Sequence, residues 1–140
     1  MNVKIKCSDP KYMPVRSRAG DACYTCSACL SETAVLNPGE CRKVPLGFCT
    51  EFTSDYAAYS LPRSGLSLNN IDVKIGIIDS NYRGQWHAIV LNNSDKPFSI
   101  PDGFKICQMM FVHVPEICFM QVDKLSDSNR GTNGFGSSGV

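Results

Sequence analysis

An all-β domain built from many short strands is the fold class that this sequence predicts, and three observations lead there. Short apolar segments recur along the whole chain, and several alternate with polar residues at the two-residue period of a half-buried strand. Groups of Pro, Gly, Asn and Asp separate these segments at short intervals. No window sustains the apolar period of an amphipathic helix. About eight to eleven such strands fit a sandwich, jelly roll or barrel, and they argue against a parallel α/β fold.

The elements follow in order. Val3, Ile5 and Cys7 alternate with Lys4 and Lys6, an opening strand with one polar face. Pro10 and Pro14 bracket the loop after it. Cys23–Val35 is small and polar and ends at the turn sequence Asn37–Glu40. Arg42–Phe52 is compatible with a strand but is interrupted by Pro45 and Gly47, and Tyr56–Leu61 stops at Pro62. The best helical segment is a short turn within Ser64–Asn70. Ile71, Val73, Ile75 and Ile77 then share one face, opposite Asp72, Lys74 and Gly76; a polar break at Asp79–Gly84 precedes the apolar run Trp86–Leu91. That pattern predicts a β-hairpin. Phe98–Ile100, Ile106–Val114 and Ile117–Val122 continue the series.

The chain has 140 residues, enough for one domain able to fold without metal or disulfide staples. Hydrophobic residues make up 43% and charged residues 19%, which excludes a disordered chain. The formal net charge of +1 gives no argument for a polyanion-binding surface, so no nucleic-acid partner is expected and any phosphate binding must come from a few placed groups. The apolar runs fall far short of the roughly 20 residues of a membrane helix, and the N-terminus lacks the apolar core of a secretory signal. The expected compartment is therefore the cytoplasm (of a host cell, or its nucleus, if the chain is viral). Eight cysteines fit that reducing setting mainly as small buried or half-buried thiols. The run Cys23–Cys29 spaces three of them by two residues, which leaves a zinc site or an intramolecular disulfide open as alternatives.

Residues 126–140 differ in kind, because a Gly/Ser-rich stretch has little to bury and a large entropy to lose on ordering. Read blandly, it is a loose tail. Yet Arg130 and Phe135 among glycines are what an arm closing over a charged, ring-containing ligand would carry. The expected organisation is a β domain at 1–125 and a flexible arm at 126–140.

Five ordered stretches carry a resemblance. Ala22–Ala28 reads ACYTCSA, Pro62–Leu66 reads PRSGL and Gly76–Gly84 reads GIIDSNYRG; Gly103–Met109 reads GFKICQM and Arg130–Gly139 reads RGTNGFGSSG. In this order and spacing the chain resembles the trimeric all-β dUTPase family, whose patterns there are AGYDLxA, PRSGL, GxIDxDYRG, GERIAQ and RGxGGFGSTG. The resemblance implies a distorted jelly-roll barrel with at most one short helix, a homotrimer with exchanged arms, and hydrolysis of dUTP to dUMP and pyrophosphate. Such a reaction limits uracil in DNA and supplies dUMP. Magnesium is implied as cofactor, held mainly through the triphosphate and not by protein ligands.

Site residues are implied one by one. Asp79 would activate the water that attacks the α-phosphorus; on local pattern alone it caps a turn with Ser80. Tyr82 would lie under the sugar, where its ring leaves no room for a 2′-hydroxyl, or else it is a hairpin aromatic packing on its neighbours. Backbone around Val73 and Ile77 would read the uracil edge. Arg63, Ser64 and Gly65 would meet the phosphate chain, an arginine fork suiting phosphate oxygens; the bland alternative for Arg63 is an exposed cation. Gln108, a lone amide in an apolar run, would face the α-phosphate or be a satisfied core amide. Arg130 would neutralise the γ-phosphate, Phe135 would stack on uracil, and Gly136, Ser137 and Ser138 would donate to the β- and γ-phosphates.

Several positions depart from the pattern. Thr25, Asn81, Phe104 and Asn129 stand where the family carries acids, Cys23 replaces a glycine, and Lys74 occupies a place usually held by a small residue. Lost acids lower the repulsion felt by a tetra-anionic substrate and bear on magnesium dependence. They also leave room for a catalytically weak nucleotide sensor as the alternative function. The related dCTP deaminase arrangement expects a glutamate base and a cytosine-reading pocket, neither of which the sequence offers.

Overall fold

The computed structural model describes residues 1–134. Among them are eleven strands and one short α-helix: β1 Lys4–Cys7, β2 Tyr24–Ser27, β3 Ala34–Leu36, β4 Cys41–Pro45, β5 Phe48–Glu51, β6 Tyr56–Leu61, α1 Ser64–Ser67, β7 Ile71–Lys74, β8 Gly76–Ile78, β9 His87–Asn92, β10 Phe98–Ile100 and β11 Lys105–His113. Every pairing is antiparallel. The strands run in the orders β2-β11-β6-β8, β4-β9-β7, β1-β5 and β3-β10, a distorted jelly-roll barrel. No helix among the described residues is long and apolar enough to cross a membrane.

Alternating strands close on one core. Val44, Phe48, Val73, Trp86, Ala88, Val90, Ile100 and Ile106 are all buried. Two polar groups are satisfied inside it: Trp86 Nε1 donates to Thr50 Oγ1 at 3.0 Å, and Asn92 Nδ2 donates to the carbonyls of Leu36 and Lys96. An unpaired amide there would cost about 1–3 kcal/mol, so both contacts hold strands in register. At one end Asp102 accepts from Lys11 Nζ, Tyr12 OH and the Leu30 N–H, tying three connections together.

Four segments differ from their sequence reading. The run Ile71–Ile77 is not one strand face: Ile71 and Val73 are buried, whereas Ile75 and Ile77 are 65% and 62% exposed. β7 pairs with β9, while β8 crosses to pair with β6, so the chain changes sheets at Ile75. Arg42–Phe52 is two strands, parted where Gly47 adopts φ +76° against the Tyr12 ring; a Cβ there would collide with that ring. The small, polar stretch Cys23–Val35 contains β2 and most of β3. Ile117–Val122 forms no strand, because no described strand lies beside it to accept its hydrogen bonds; Phe119 is 96% exposed.

Candidate functional site

A cleft of about 650 Å³ opens where β2, β11 and the β6–α1 junction meet; among its walls are Arg63, Ser64, Gly65, Gln108 and Thr25. Pro62 follows the last residue of β6, where it cannot continue the strand ladder, and Arg63 is extended (φ −98°, ψ 133°) at the N-cap of α1, with its side chain among the cleft walls. Arg63 Nη1 donates to the Lys105 carbonyl at 2.7 Å, which fixes the fork while leaving other N–H groups free for an anion. Ser64 and Gly65 are exposed in the first turn of α1, whose leading N–H groups have no intrahelical partner. A Cβ at Gly65 would meet nothing within 4 Å, so open space lies in front of this backbone.

Gln108 sits in β11 opposite Thr25 of β2 and Leu61 of β6. Its Nε2 donates to the Pro62 carbonyl at 2.9 Å, which binds the amide to the Arg63 turn and leaves its oxygen and second N–H for the cleft. The opposite wall comes from the loop Ser17–Cys23, including Arg18 and Asp21. Asp21 Oδ2 accepts from the Arg18 N–H, and the Arg16 Nε donates to the Asp21 carbonyl, so this loop is braced internally. The sequence reading did not assign Arg18 to the site. The signal that could have found it is a cation a few residues before the first motif, on a loop that must return to β2.

Asp79 does not line this cleft. It follows β8 directly and is exposed, with its carbonyl accepting from the Tyr82 N–H at 3.1 Å. Ile78 pairs with Ala58, so Asp79 lies beside the first residues of β6, whereas Arg63 lies beyond its end. At a strand rise of about 3.3 Å per residue the two backbones are roughly 20 Å apart. Tyr82 stays with Asp79: its hydroxyl donates to the Gln85 carbonyl at 3.1 Å, and its ring lies so close over Gly84 that any Cβ there would overlap it. Gly84 is thus a second residue that the sequence reading passed over, although the RG pair in its motif pointed to it. Val73 turns its side chain into the core and Ile77 turns outward, which leaves main chain as the only surface the two could share.

The departures also find places. Lys74 points to solvent with its Nζ 3.5 Å from Asp72 Oδ2. Phe104 packs edge-on against Phe98, ring centroids 5.7 Å apart, so the family's acid position is a packing position here. Asn81 is exposed. Arg130 is exposed, its Nε donating to the Asn133 carbonyl at 2.9 Å. Phe135, Gly136, Ser137 and Ser138 lie outside the described residues.

The candidate residues therefore fall into two separate groups within one chain: Arg63, Ser64, Gly65, Gln108 and Thr25 around the cleft, and Asp79, Tyr82 and the exposed Ile77 at an edge away from it. Known proteins are similar to this chain in sequence and in fold. The chain is 40% identical to the deoxyuridine 5′-triphosphate nucleotidohydrolase of Leifsonia xyli over 133 residues, covering 92% of this chain and 86% of that protein. It is 40% identical to the enzyme of the same name from Methylococcus capsulatus over 134 residues, covering 91% and 87%. Its fold superposes on a dUTPase of Staphylococcus bacteriophage 80alpha solved with dUpNHpp, at a TM-score of 0.90 and 25% identity over 99% of each chain. The dUTPase family model matches residues 9–139, and the chain belongs to that family.

Proposed function

We propose that the protein hydrolyses dUTP to dUMP and pyrophosphate, with Asp79 activating the attacking water and with the site completed between chains of a homotrimer. The observation that carries this reading is the separation of the two half-sites on a chain of this family. Arg63, Ser64, Gly65 and Gln108 furnish one wall; Asp79 and Tyr82 stand at an exposed edge, available to a neighbour's cleft. Exposed apolar groups on Ile75 and Ile77 and on the segment after β11, including Phe119 and Met120, support burial against partner chains.

In the proposed step the Asp79 carboxylate takes a proton from water as the water oxygen bonds to the α-phosphorus. The bond from that phosphorus to the bridging oxygen breaks, and its electron pair leaves with pyrophosphate. Positioning offsets the weak basicity of a carboxylate. Arg63, the donors of Ser64 and Gly65, Gln108 and Arg130 hold the phosphates in line and stabilise their charge. Tyr82 excludes the 2′-hydroxyl, main chain at Val73 and Ile77 reads uracil, and Phe135, Gly136, Ser137 and Ser138 close over the nucleotide.

The residues fit magnesium carried by the triphosphate and not a protein cage. Among the described residues no group of three or more His, Cys, Asp or Glu could hold a metal, and Asp21 already spends one carboxylate oxygen on the Arg18 N–H. Bound that way, the ion would neutralise phosphate charge, with Asp21 and Thr25 the cleft groups able to meet its water shell.

The test is pyrophosphate release from dUTP, dTTP, dCTP and UTP, with and without magnesium. Release is expected from dUTP and far more slowly from the others, and Asp79→Asn should abolish release while nucleotide still binds. Binding of dUTP by the wild type with no release would replace this reading with that of a nucleotide sensor.

A further inference from the structure

Two cysteines face each other under the cleft floor. Cys26 of β2 and Cys107 of β11 are register partners, and both are buried, at 0% and 1% exposure. The family patterns quoted above carry Leu at the first position and Ala at the second, so this chain has replaced two apolar residues with thiols at paired places. Directly opposed residues of an antiparallel ladder have Cα atoms roughly 4.5–5.5 Å apart. Cross-strand disulfides need roughly 4.4–6.8 Å.

We propose that Cys26 and Cys107 are a redox-active pair that closes to a reversible cross-strand disulfide when the protein meets a peroxide. Cys107 is assigned as the attacking sulfur, because the Cys26 thiol is already engaged as a donor to the Tyr24 carbonyl at 3.7 Å while the unpartnered Ser60 hydroxyl is free to donate to the other sulfur. Its interaction with Cys26 holds it below the usual thiol range, against the opposing effect of burial, and Ser60 and Arg63 act in the same direction as Cys26. The Ser60 hydroxyl is buried beside it with no nitrogen or oxygen partner, so it is free to serve a sulfur anion. Cys26 is pushed up chiefly by Cys107 and stays a thiol, as a resolving cysteine should.

Access comes through β2. That strand has four residues and lies at the edge of its sheet, and beyond β11 the one strand-like pairing it makes among the described residues is the bridge between Val15 and Thr25. In this proposal the route to the pair is local opening of this short edge strand, beside which the register shifts between Lys105 and Cys107. The Cys107 thiolate then breaks the peroxide O–O bond, forming a sulfenic acid and hydroxide. Cys26 sulfur displaces the second hydroxide to form the S–S bond. Its proton and one from solvent convert both hydroxides to water, so two thiols are oxidised and one peroxide is reduced. The next register pair, Thr25 and Gln108, lines the cleft, so the crosslink stiffens the cleft floor.

The experiment is brief hydrogen peroxide treatment of the full chain, alkylation under denaturing conditions, and tandem mass spectrometry of a non-reduced digest. All eight cysteines start as free thiols. Two should be lost to alkylation, with a peptide linking Cys26 to Cys107, full reversal by dithiothreitol, and an upward melting shift of several degrees. Cys107→Ala, which restores the family residue, should lose the crosslink and the shift while keeping the fold. If Cys26 and Cys107 both stay fully alkylated while the exposed Cys41 and Cys118 oxidise, the proposal is wrong. It is equally wrong if Cys107 pairs with a different cysteine.

Discussion

An Asp79→Asn chain and an Arg63→Ala chain, each inactive alone, should recover activity when assembled together. The reasoning starts from the β6–β8 ladder. Because Ile78 pairs with Ala58, Asp79 and Arg63 leave opposite ends of β6, and Asp79 takes no part in the walls around Arg63. A general base must lie within about 3 Å of the water it deprotonates, and Asp79 has no place in the walls of the cleft where Arg63 would hold the phosphates. If each site takes its phosphate wall from one chain and its base from a neighbour, random mixing of equal amounts gives about one quarter of sites with both residues intact. The assay is pyrophosphate release after the two variants are unfolded together and refolded, against wild type and each variant treated alike. About a quarter of wild-type turnover is expected. If verified mixed trimers recover nothing, both residues act in one chain and the two-half reading fails.

Three further outcomes follow from particular contacts. Gly84→Ala places a Cβ where the Tyr82 ring lies, so the ring must move. Turnover of dUTP should drop by roughly tenfold and selectivity over UTP should narrow, read as kcat/KM for each nucleotide. Phe135→Ala should lower kcat/KM by roughly 10- to 100-fold, the usual worth of one base–aromatic stack, with the melting temperature unchanged, as the proposed role over the nucleotide requires. The Asp102 carboxyl is held well below the usual carboxylate range, first by Lys11, then by Tyr12 and the Leu30 N–H. A depressed folded-state value means that its stabilising effect is complete above roughly pH 4 and is lost as the pH falls toward that value. Asp102→Asn should therefore flatten the acid arm of a stability–pH curve and lower stability near neutrality, as thermal melts at several pH values would show.

The sequence made strands legible where burial alternates and hid them where it does not. Ile5 and Cys7 of β1 read directly, and so did β9, whose Ala88, Val90 and Asn92 point inward. β2 and β3 were hidden because small residues there carry no strong period, and their strand state depends on β11 and β10 as partners. Ile71–Ile77 misled for the opposite reason: its period is perfect, but the change of partner at Ile75 is a tertiary event that no local pattern records. Ile117–Val122 has the composition of a strand without a partner in its own chain. At the site, PRSGL told of a turn that presents Arg63, and the lone amide in ICQMMF told of Gln108. Nothing in the order of residues said that Asp79 would end on a different edge, because that depends on which side of β6 the short β8 joins.

The same surfaces that split the site also supply a reason for chains to associate. A chain alone leaves Ile75, Ile77 and Tyr82 beside Asp79 in water, and it leaves Ile117, Phe119, Met120 and Leu125 in water after β11. Apolar exposure of that extent is worth burying at about 25 cal/mol per Å², and a partner's surface is the means within reach of a 140-residue chain whose own core is already closed. Association driven by these groups would carry the hairpin edge to a neighbour, so assembly and completion of the site become one event. The lost acids fit this arrangement. Thr25 in place of an acid removes a negative charge from the cleft that must accept a triphosphate, and Phe104 turns a charged position into packing against Phe98. What had to remain for the proposed chemistry is what did remain: one carboxylate on an exposed edge, and, around the cleft, an arginine, an amide and a glycine-opened turn that the proposed assembly would bring to it.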